Sequence, residues 1–472
     1  MMLRLTPNTV RAVLWAAFIA AAPAAGAEPS LSLSEAVQQA LDSSVPLASQ
    51  RRALAADRES VGLARSPLLP QVTVGGVAQA IDSERSDSNR GNVSEESATL
   101  QAQLSQVLYD EDHWAQFQAQ QHTFDQQRQQ FESFRLSIVQ ETAVSFFELE
   151  RSQAQLTIQQ ENREVTRKNL ETTRVRVATG YSSERELLRW QSQLAHNDID
   201  VEQALTAVLS SRFELNRVRS RAPEEGVEPV RSSADAQGFV YARSVIAQAL
   251  EAPGADEKLR DYLARVGLGR SPTLRALDAA IAAQERIVTA KERAFWIPSL
   301  SLLAGADHLV DDGGSGSDFR ETEWGVGVQL VFPIFQGGAK PAALRQAREA
   351  RGSLRLERRA QAESLEQGIR TAFAQASGAY RGLGHAREQE AAATKNYDLV
   401  NEAYVLGVAD YLDLLDAQNQ SLSAQVTSLN ALYDFLESLI DAETQIAFFP
   451  FLEEPSDVEA LLQGLERSLG QP

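Results

Sequence analysis

Asp413 and Asp416, in the stretch YVLGVADYLDLLDAQNQ (404–420), are the residues whose type and spacing come nearest to chemistry. Carboxylates three apart share one face of a helix. Converging copies of such a pair in a narrow pore would repel anions and attract cations. On a single helix the same spacing is equally an ordinary solvated acidic face. Catalytic chemistry has less to work with. His113, His122, His196, His308 and His385 are scattered, and only DEDHW (110–114) sets a histidine among carboxylates. Asp110, Glu111 and Asp112 read there as acidic first-turn residues of a long helix, where negative charge is favoured. Neither GVG (325–327) nor FQGG (335–338) is followed by lysine at the distance a phosphate loop needs. These residues predict no catalytic site, no metal site and no cofactor.

The acidic pair belongs to a pattern that occurs twice. VRVATGYSSERELLRWQSQ (175–193) aligns Gly180 with Gly407, Leu187 and Leu188 with Leu414 and Leu415, and Gln191 with Gln418. Each glycine interrupts a tract that is nearly free of proline and rich in helix formers, Asp110–Arg219 and Ala342–Phe448. An unbroken helix from Glu111 to Ala178 would be about 100 Å long, too long for a compact globule. Glycine lets the backbone reverse at 180 and 407, where a side chain would obstruct the turn. Leu412, Leu415, Asn419, Leu422, Val426, Leu429, Tyr433, Leu436 and Ile440 alternate steps of three and four, the spacing of a coiled-coil seam. Leu187, Leu194, Val201, Val208 and Leu215 repeat every seven in the first half, and Ile369, Phe373 and Tyr380 form a stripe on the outgoing helix of the second. A plain four-helix bundle would carry the same seams, but not arms of this length.

The segments before the long helices also match. VPLASQRRALAADRESVGLARSPLLPQVTV (45–74) and SPTLRALDAAIAAQERIVTAKERAFWIPSLSL (271–302) each begin near a proline. Each then carries an Ala/Arg-rich helix and ends in an arginine followed five residues later by proline, Arg65 to Pro70 and Arg293 to Pro298. Proline stops the helix and favours extended chain before it. Beyond it the apolar period changes to two. Trp324, Val326, Val328 and Leu330 point one way, and Gly325, Gly327 and Gln329 the other. Strands are expected at about 72–81, 99–108, 299–308 and 323–332, joined by polar loops at 82–97 and 310–322. Ten-residue alternating segments suit tilted transmembrane strands as well as soluble sandwich strands. Four strands cannot close a barrel, and an open edge does not persist in lipid. Three copies would supply twelve, an even number in the range of closed outer-membrane barrels.

Arg4 and Arg11, the apolar run AVLWAAFIAAA (12–22) and Ala25-Gly26-Ala27 compose a signal peptide over 1–27. The chain contains no cysteine, so no lipid anchor through an N-terminal cysteine is expected. With 45 basic against 64 acidic residues the formal charge is −19, which disfavours nucleic acid as a partner.

ARSPLLPQVTV (64–74), QVLYD (106–110), WIPSLSL (296–302), FPIFQGG (332–338) and the two glycine turns resemble the outer-membrane efflux protein family, of the TolC type. The resemblance runs in duplicate along nearly the whole chain after the signal peptide. It implies a mixed fold of membrane β-barrel and α-helical barrel: a homotrimer with four transmembrane strands per protomer. The shared twelve-stranded barrel would continue as a long coiled-coil tunnel. The implied domains are a first structural repeat at 28–221, an equatorial linker at 222–255 with a helix near Val240–Leu250, a second repeat at 256–448 and an equatorial tail at 449–472. The implied setting is the outer membrane of a Gram-negative bacterium, reaching into the periplasm. Partners would be outer-membrane lipid, a periplasmic adaptor and an inner-membrane transporter, which supplies the energy.

The resemblance also assigns residues. Asp413 and Asp416 match an acidic ring at the periplasmic aperture, and Tyr404 a tyrosine that holds the tip closed. Ala409 stands where the family usually has a basic residue. Arg185 and Glu186 occupy the places of a small polar residue and an aspartate, and an Arg185 contact to Asp413 or Asp416 could substitute for the missing link. Gly180, Gly407, Leu187, Leu188, Leu414 and Leu415 would meet the adaptor, and Trp324, Val326, Val328 and Leu330 would face lipid. The function expected is an exit duct for small molecules or polypeptides. The alternatives are a structural or tethering coiled-coil envelope protein, which has no use for the strands, and a passive porin, which has none for the arms.

Overall fold

A computed structural model describes residues 30–82, 96–232, 255–311 and 322–470. The signal peptide, most of both polar loops and the expected helix near Val240–Leu250 lie outside the described residues. In chain order the elements are β1 (Ser30–Leu31), α1 (Leu33–Ser43), α2 (Val45–Arg65), β2 (Gln71–Ala80), β3 (Glu96–Tyr109), α3 (Glu111–Ala178), α4 (Glu184–Val218) and β4 (Glu228–Pro229). They continue with α5 (Ala255–Arg270), α6 (Pro272–Arg293), β5 (Ser299–Asp311), β6 (Thr322–Val331), α7 (Ala339–Val405), α8 (Tyr411–Gln445) and α9 (Pro455–Gly470). The very long helices α3 and α7 have 68 and 67 residues, so each spans about 100 Å.

Local chemistry sets the helix starts in both halves alike. Ser44 and Ser271 cap α2 and α6, each accepting from a backbone N–H three residues on, with proline in the first turn. Asp110 caps α3 by accepting from the His113 N–H at 3.0 Å. Its neighbour Glu111 does more than the sequence suggested. Only 7% exposed, it pairs with Arg286 at 2.8 Å and Arg293 at 3.3 Å on α6 and accepts from the Tyr109 hydroxyl at 2.5 Å. One buried carboxylate thus joins the end of β3, the start of α3 and the end of α6.

The four long strands form one antiparallel sheet in the order β2-β3-β5-β6. Cross-strand partners share a face. The row Val72–Leu104–Ala304–Val326 crosses the sheet on one side, and Thr73–Gln103–Gly305–Gly325 crosses it on the other. The apolar residues of four separate segments are therefore collected on a single face, which includes Trp324, Val328 and Leu330. The hairpins also repeat in register: Gln71 faces Ser105 as Ser299 faces Val331, and Val72 faces Leu104 as Leu300 faces Leu330.

The main core lies midway along the helices. Phe146 and Phe147 of α3, Phe373 of α7 and Phe435, Leu436 and Leu439 of α8 are packed there with Leu259 and Leu263 of α5 and Leu465 of α9. The expected seam on α8 holds only in this part. Tyr433, Leu436 and Ile440 are buried, but nearer the start of the helix Leu412 and Asn419 are exposed and Leu415, Leu422 and Val426 only partly covered. The buried line there is Leu414, Ala417, Gln418, Ser421, Ala424 and Ser428. Small residues let the helices approach closely, so the larger leucine stripe is turned aside. In the first half Val201, Val208 and Leu215 are buried as expected, while Leu187 and Leu194 are partly covered.

Beside this core, β1 pairs in parallel with β4, and Glu150 of α3, 3% exposed, accepts from the Ser232 N–H at 2.7 Å. Burial raises the Glu150 carboxyl to about 7, against a smaller lowering by the Ser232 bond and Arg231. An acid whose folded pKa lies above its unfolded one binds more protons when folded, so stability declines as pH rises from the ordinary carboxylate range to about 7.

Two measurements test this architecture. If the apolar face meets lipid, as the resemblance implies, Val326→Arg should lower the yield of heat-resistant, membrane-inserted protein, because a midplane charge on such a face costs about 2–4 kcal/mol; Gln329→Arg, on the polar face, should not. Glu150→Gln should raise the thermal midpoint at pH 8 and leave it unchanged at pH 5; the same shift at both values would show that Glu150 does not titrate in this window.

Candidate functional site

The sheet lies at one end of the long helices, and at the other end both hairpins reverse at glycine. Gly180 has φ +81° and Gly407 φ +77°. The N–H groups of Gly180 and Tyr181 donate to the Val177 and Arg176 carbonyls at 3.0 and 2.8 Å. Those of Gly407 and Val408 donate to the Tyr404 and Ala403 carbonyls at 3.0 and 2.9 Å. Each turn is thus a left-handed cap that satisfies the last carbonyls of its helix. A Cβ at either glycine would meet nothing within 4 Å, so a side chain is not obstructed by neighbours as the sequence suggested. The requirement is conformational, because a left-handed backbone costs other residues about 1–2 kcal/mol.

Tyr404, 3% exposed, ties the two turns together. Its hydroxyl donates to Glu186 Oε1 at 2.6 Å, and its ring lies 4.6 Å from the guanidinium carbon of Arg176. Arg176 Nη1 also donates to the Tyr404 carbonyl at 3.0 Å. Burial, and then the Glu186 bond, push the phenol above its ordinary range, so it remains a donor. Glu186 is held on its other oxygen by the Ser182 hydroxyl. Around Tyr404 pack Leu170, Trp190, Tyr411 and Leu414, with Leu187 and Leu415 at the margin. Farther from the turns a buried amide network joins three helices. Gln418 Nε2 donates to Asn162 Oδ1 at 2.8 Å and Thr166 Oγ1 at 2.7 Å, and Asn197 Nδ2 to the same Thr166 oxygen at 2.8 Å.

Other candidates are more exposed. Asp413 closes a capping box at the start of α8, accepting from the Asp410 N–H at 3.3 Å, while Asp410 accepts from the Leu412 N–H. Asp416 accepts from Gln420 Nε2 at 2.7 Å. Both carboxylates are exposed, as is Arg185, and among the described residues of one chain no ion pair joins Arg185 to either. Leu414 is fully buried, which removes it from any docking surface, and Leu187 and Leu415 are packed against the same cluster. Leu188 is exposed, as are Tyr181, Leu406 and Val408. Sequence reasoning missed Arg176, Trp190 and the amide network. Trp190, a lone tryptophan on a polar helix, was the available signal; the amides carry no sequence mark that separates buried from solvated. Among the described residues no group of three or more His, Asp or Glu side chains could hold a metal ion.

Solved structures share this fold. The outer membrane protein VceC of Vibrio cholerae is 15% identical and superposes with a TM-score of 0.72, covering 88% of this chain and 96% of that one. In sequence, the chain is 32% identical to the outer membrane efflux protein BepC of Brucella suis over 168 residues, 35% of this chain and 36% of that protein. It is 22% identical to the outer membrane protein TolC of Escherichia coli over 413 residues, 84% of this chain and 78% of that protein. The family profile of the outer membrane efflux protein matches residues 36–218 and 263–442, well over half of the chain. The chain belongs to this family. It is an outer-membrane efflux channel that extends into the periplasm. The relatives it resembles are efflux channels rather than enzymes.

Within this efflux channel, Tyr404→Phe removes a bond to a carboxylate, an interaction worth about 1.5–3 kcal/mol. Amide exchange at residues 400–412 should accelerate by about tenfold or more, with exchange in the distant core around Phe146 and Phe373 unaffected. Exchange equal to wild type would mean that Tyr404 is held by packing alone.

Proposed function

We propose that three copies of this chain form a single duct, with a closed twelve-stranded barrel in the outer membrane and a helical tunnel below it. The observation that carries this reading is the four-stranded sheet with one continuous apolar face and unpaired outer edges on β2 and β6. Lipid offers no hydrogen bonds to such edges, so they must close on other copies. Among the described residues no helix is long and apolar enough to cross a membrane. In this reading the strands cross it, with Trp324, Val326, Val328 and Leu330 toward lipid.

Export is driven from the inner membrane, through a periplasmic adaptor that meets the tip at the exposed Tyr181, Leu188, Leu406 and Val408. Asp413 and Asp416, exposed on the first turns of α8, ring the aperture in three copies, and Tyr404 with Glu186 and Arg176 holds each pair of turns closed. Cargo of small molecules or polypeptides passes down the polar lumen. A tethering coiled-coil protein would share the arms, but a lipid-compatible sheet has no place in it.

Light scattering with detergent correction should give a protein mass of three chains, and a monomer in mild detergent would sink the shared barrel. In planar bilayers, replacing Asp413 and Asp416 by Asn should reduce cation selectivity and block by a trivalent cation. The reduction should be larger at low salt, because the Debye length is about 30 Å at 0.01 M and about 3 Å at 1 M. Unchanged selectivity at low salt would put both carboxylates on the outer wall.

A further inference from the structure

On the flank of the long helices, about 36 Å below the sheet along α3, lies a cavity of about 500 Å³ that takes no part in the barrel or the tip. The joint between α5 and α6 and the segment after α8 meet α3 and the end of α1 there. Three guanidiniums line it: Arg135 from α3, Arg270 from the end of α5 and Arg275 from α6. Its apolar floor includes Leu41, Leu136 and Leu452.

The three arginines are unequally occupied. Arg270 donates to Glu453 Oε1 at 2.9 Å and lies 4.8 Å from the centre of the Phe448 ring, so it belongs to the wall. Arg135 donates only its Nε, to Glu132 one turn away at 2.9 Å. Arg275 Nη2 donates to the Gly269 carbonyl at 3.2 Å, and among the described residues no carboxylate pairs with it. Both are exposed. A guanidinium carries five N–H donors in a fork that matches a carboxylate, and each of these two keeps donors to spare.

Exposed arginines on a helix are ordinary in themselves. The internal duplication shows that the scaffold does not require these two. By the shift that carries Ser105 to Val331, Arg135 falls on Gln361 of α7. By the matching caps at Ser44 and Ser271, Arg275 falls on Ala48 of α2. In a chain of formal charge −19, uncommitted cations line the joint of one half and not the equivalent joint of the other.

We propose that this cavity holds the short acidic peptides of the cell wall. The inference rests on the duct reading, in which α5 and α9 belong to a girdle on the outer wall and the helices reach about 100 Å into the periplasm. A duct of that length crosses the cell wall, whose peptide stems carry several free carboxylates on a chain of a few residues. Arg135 and Arg275 take two of those carboxylates, and the apolar floor takes the methyl and methylene groups between them. The volume suits a ligand of that size rather than a folded partner. The tip turns lie about 65 Å farther along α3, so the cavity is separate from the surface assigned to the adaptor. Three copies would anchor the duct to the wall at one level.

Full-length protein in mild detergent should bind the labelled synthetic tetrapeptide L-Ala-γ-D-Glu-meso-diaminopimelyl-D-Ala, more weakly as salt is raised. Arg135→Gln/Arg275→Gln protein should bind it at least about tenfold more weakly, at an unchanged protein mass. Wild-type protein should lose the same affinity for a tetrapeptide whose carboxyl groups are amidated. Isolated cell-wall sacculi should co-sediment the wild type and much less of the double variant. Light scattering on the same samples separates the possible failures. Monomeric mass removes the duct reading and this inference with it. Trimeric protein that ignores the tetrapeptide, or binds it equally with and without the two arginines, overturns the inference and leaves the duct. Equal affinity for the all-L peptide Ala-Glu-Glu-Ala would show a protein chain end as the occupant and overturn the cell-wall assignment.

Discussion

Backbone hydrogen bonding in lipid is the constraint on which the proposed barrel depends. A strand in hydrocarbon has no water to satisfy its N–H and C=O groups, so every edge must find another strand. One protomer arranges four strands with three ladders and two outer edges. The apolar residues reach one face only because the registers of all three ladders keep alternate residues in step, and a slip of one residue in any of them would turn a strand's polar side to the apolar face.

The duplication is exact where the sheet needs it and relaxed elsewhere. Both hairpins pair the residue after the helix-ending proline with the equivalent position on the return strand, Gln71 with Ser105 and Ser299 with Val331. The helix starts have diverged. α3 begins on a buried carboxylate matched to Arg286 and Arg293, and α7 begins after Gly337 and Gly338, both with positive φ. A buried charge whose partner is removed is strongly destabilising, so Glu111 commits its two arginines to the internal seam.

At the other end the two glycine turns repeat their hydrogen-bond pattern, yet their surroundings are unequal. Tyr404 on the second hairpin is gripped by Arg176 and Glu186 from the first, which couples the two turns through one phenol. The amide network around Gln418 adds a polar layer in which short side chains permit close helix approach. Such a layer gives the lower helices less apolar grip than the phenylalanine-rich core around Phe146 and Phe373 gives the middle.

The sequence by itself determined the four long strands, the long helices and their order, but not β1, α1, β4, α5 or α9. Proline placement, glycine turns and the change of apolar period mark strands and long helices, because these depend on the backbone preferences of neighbouring residues. It also showed the duplication and which strand residues point together. Tertiary structure alone decided that β3 meets β5, that Glu111 is a buried ion-pair centre and not merely a first-turn acid, and that Leu414 is core while Leu188 is surface. The leucine pairs at 187–188 and 414–415 are alike in sequence and unlike in burial. Burial is set by what packs across from a residue, and for Leu414 that includes Trp190 and Leu170, which lie far away along the chain.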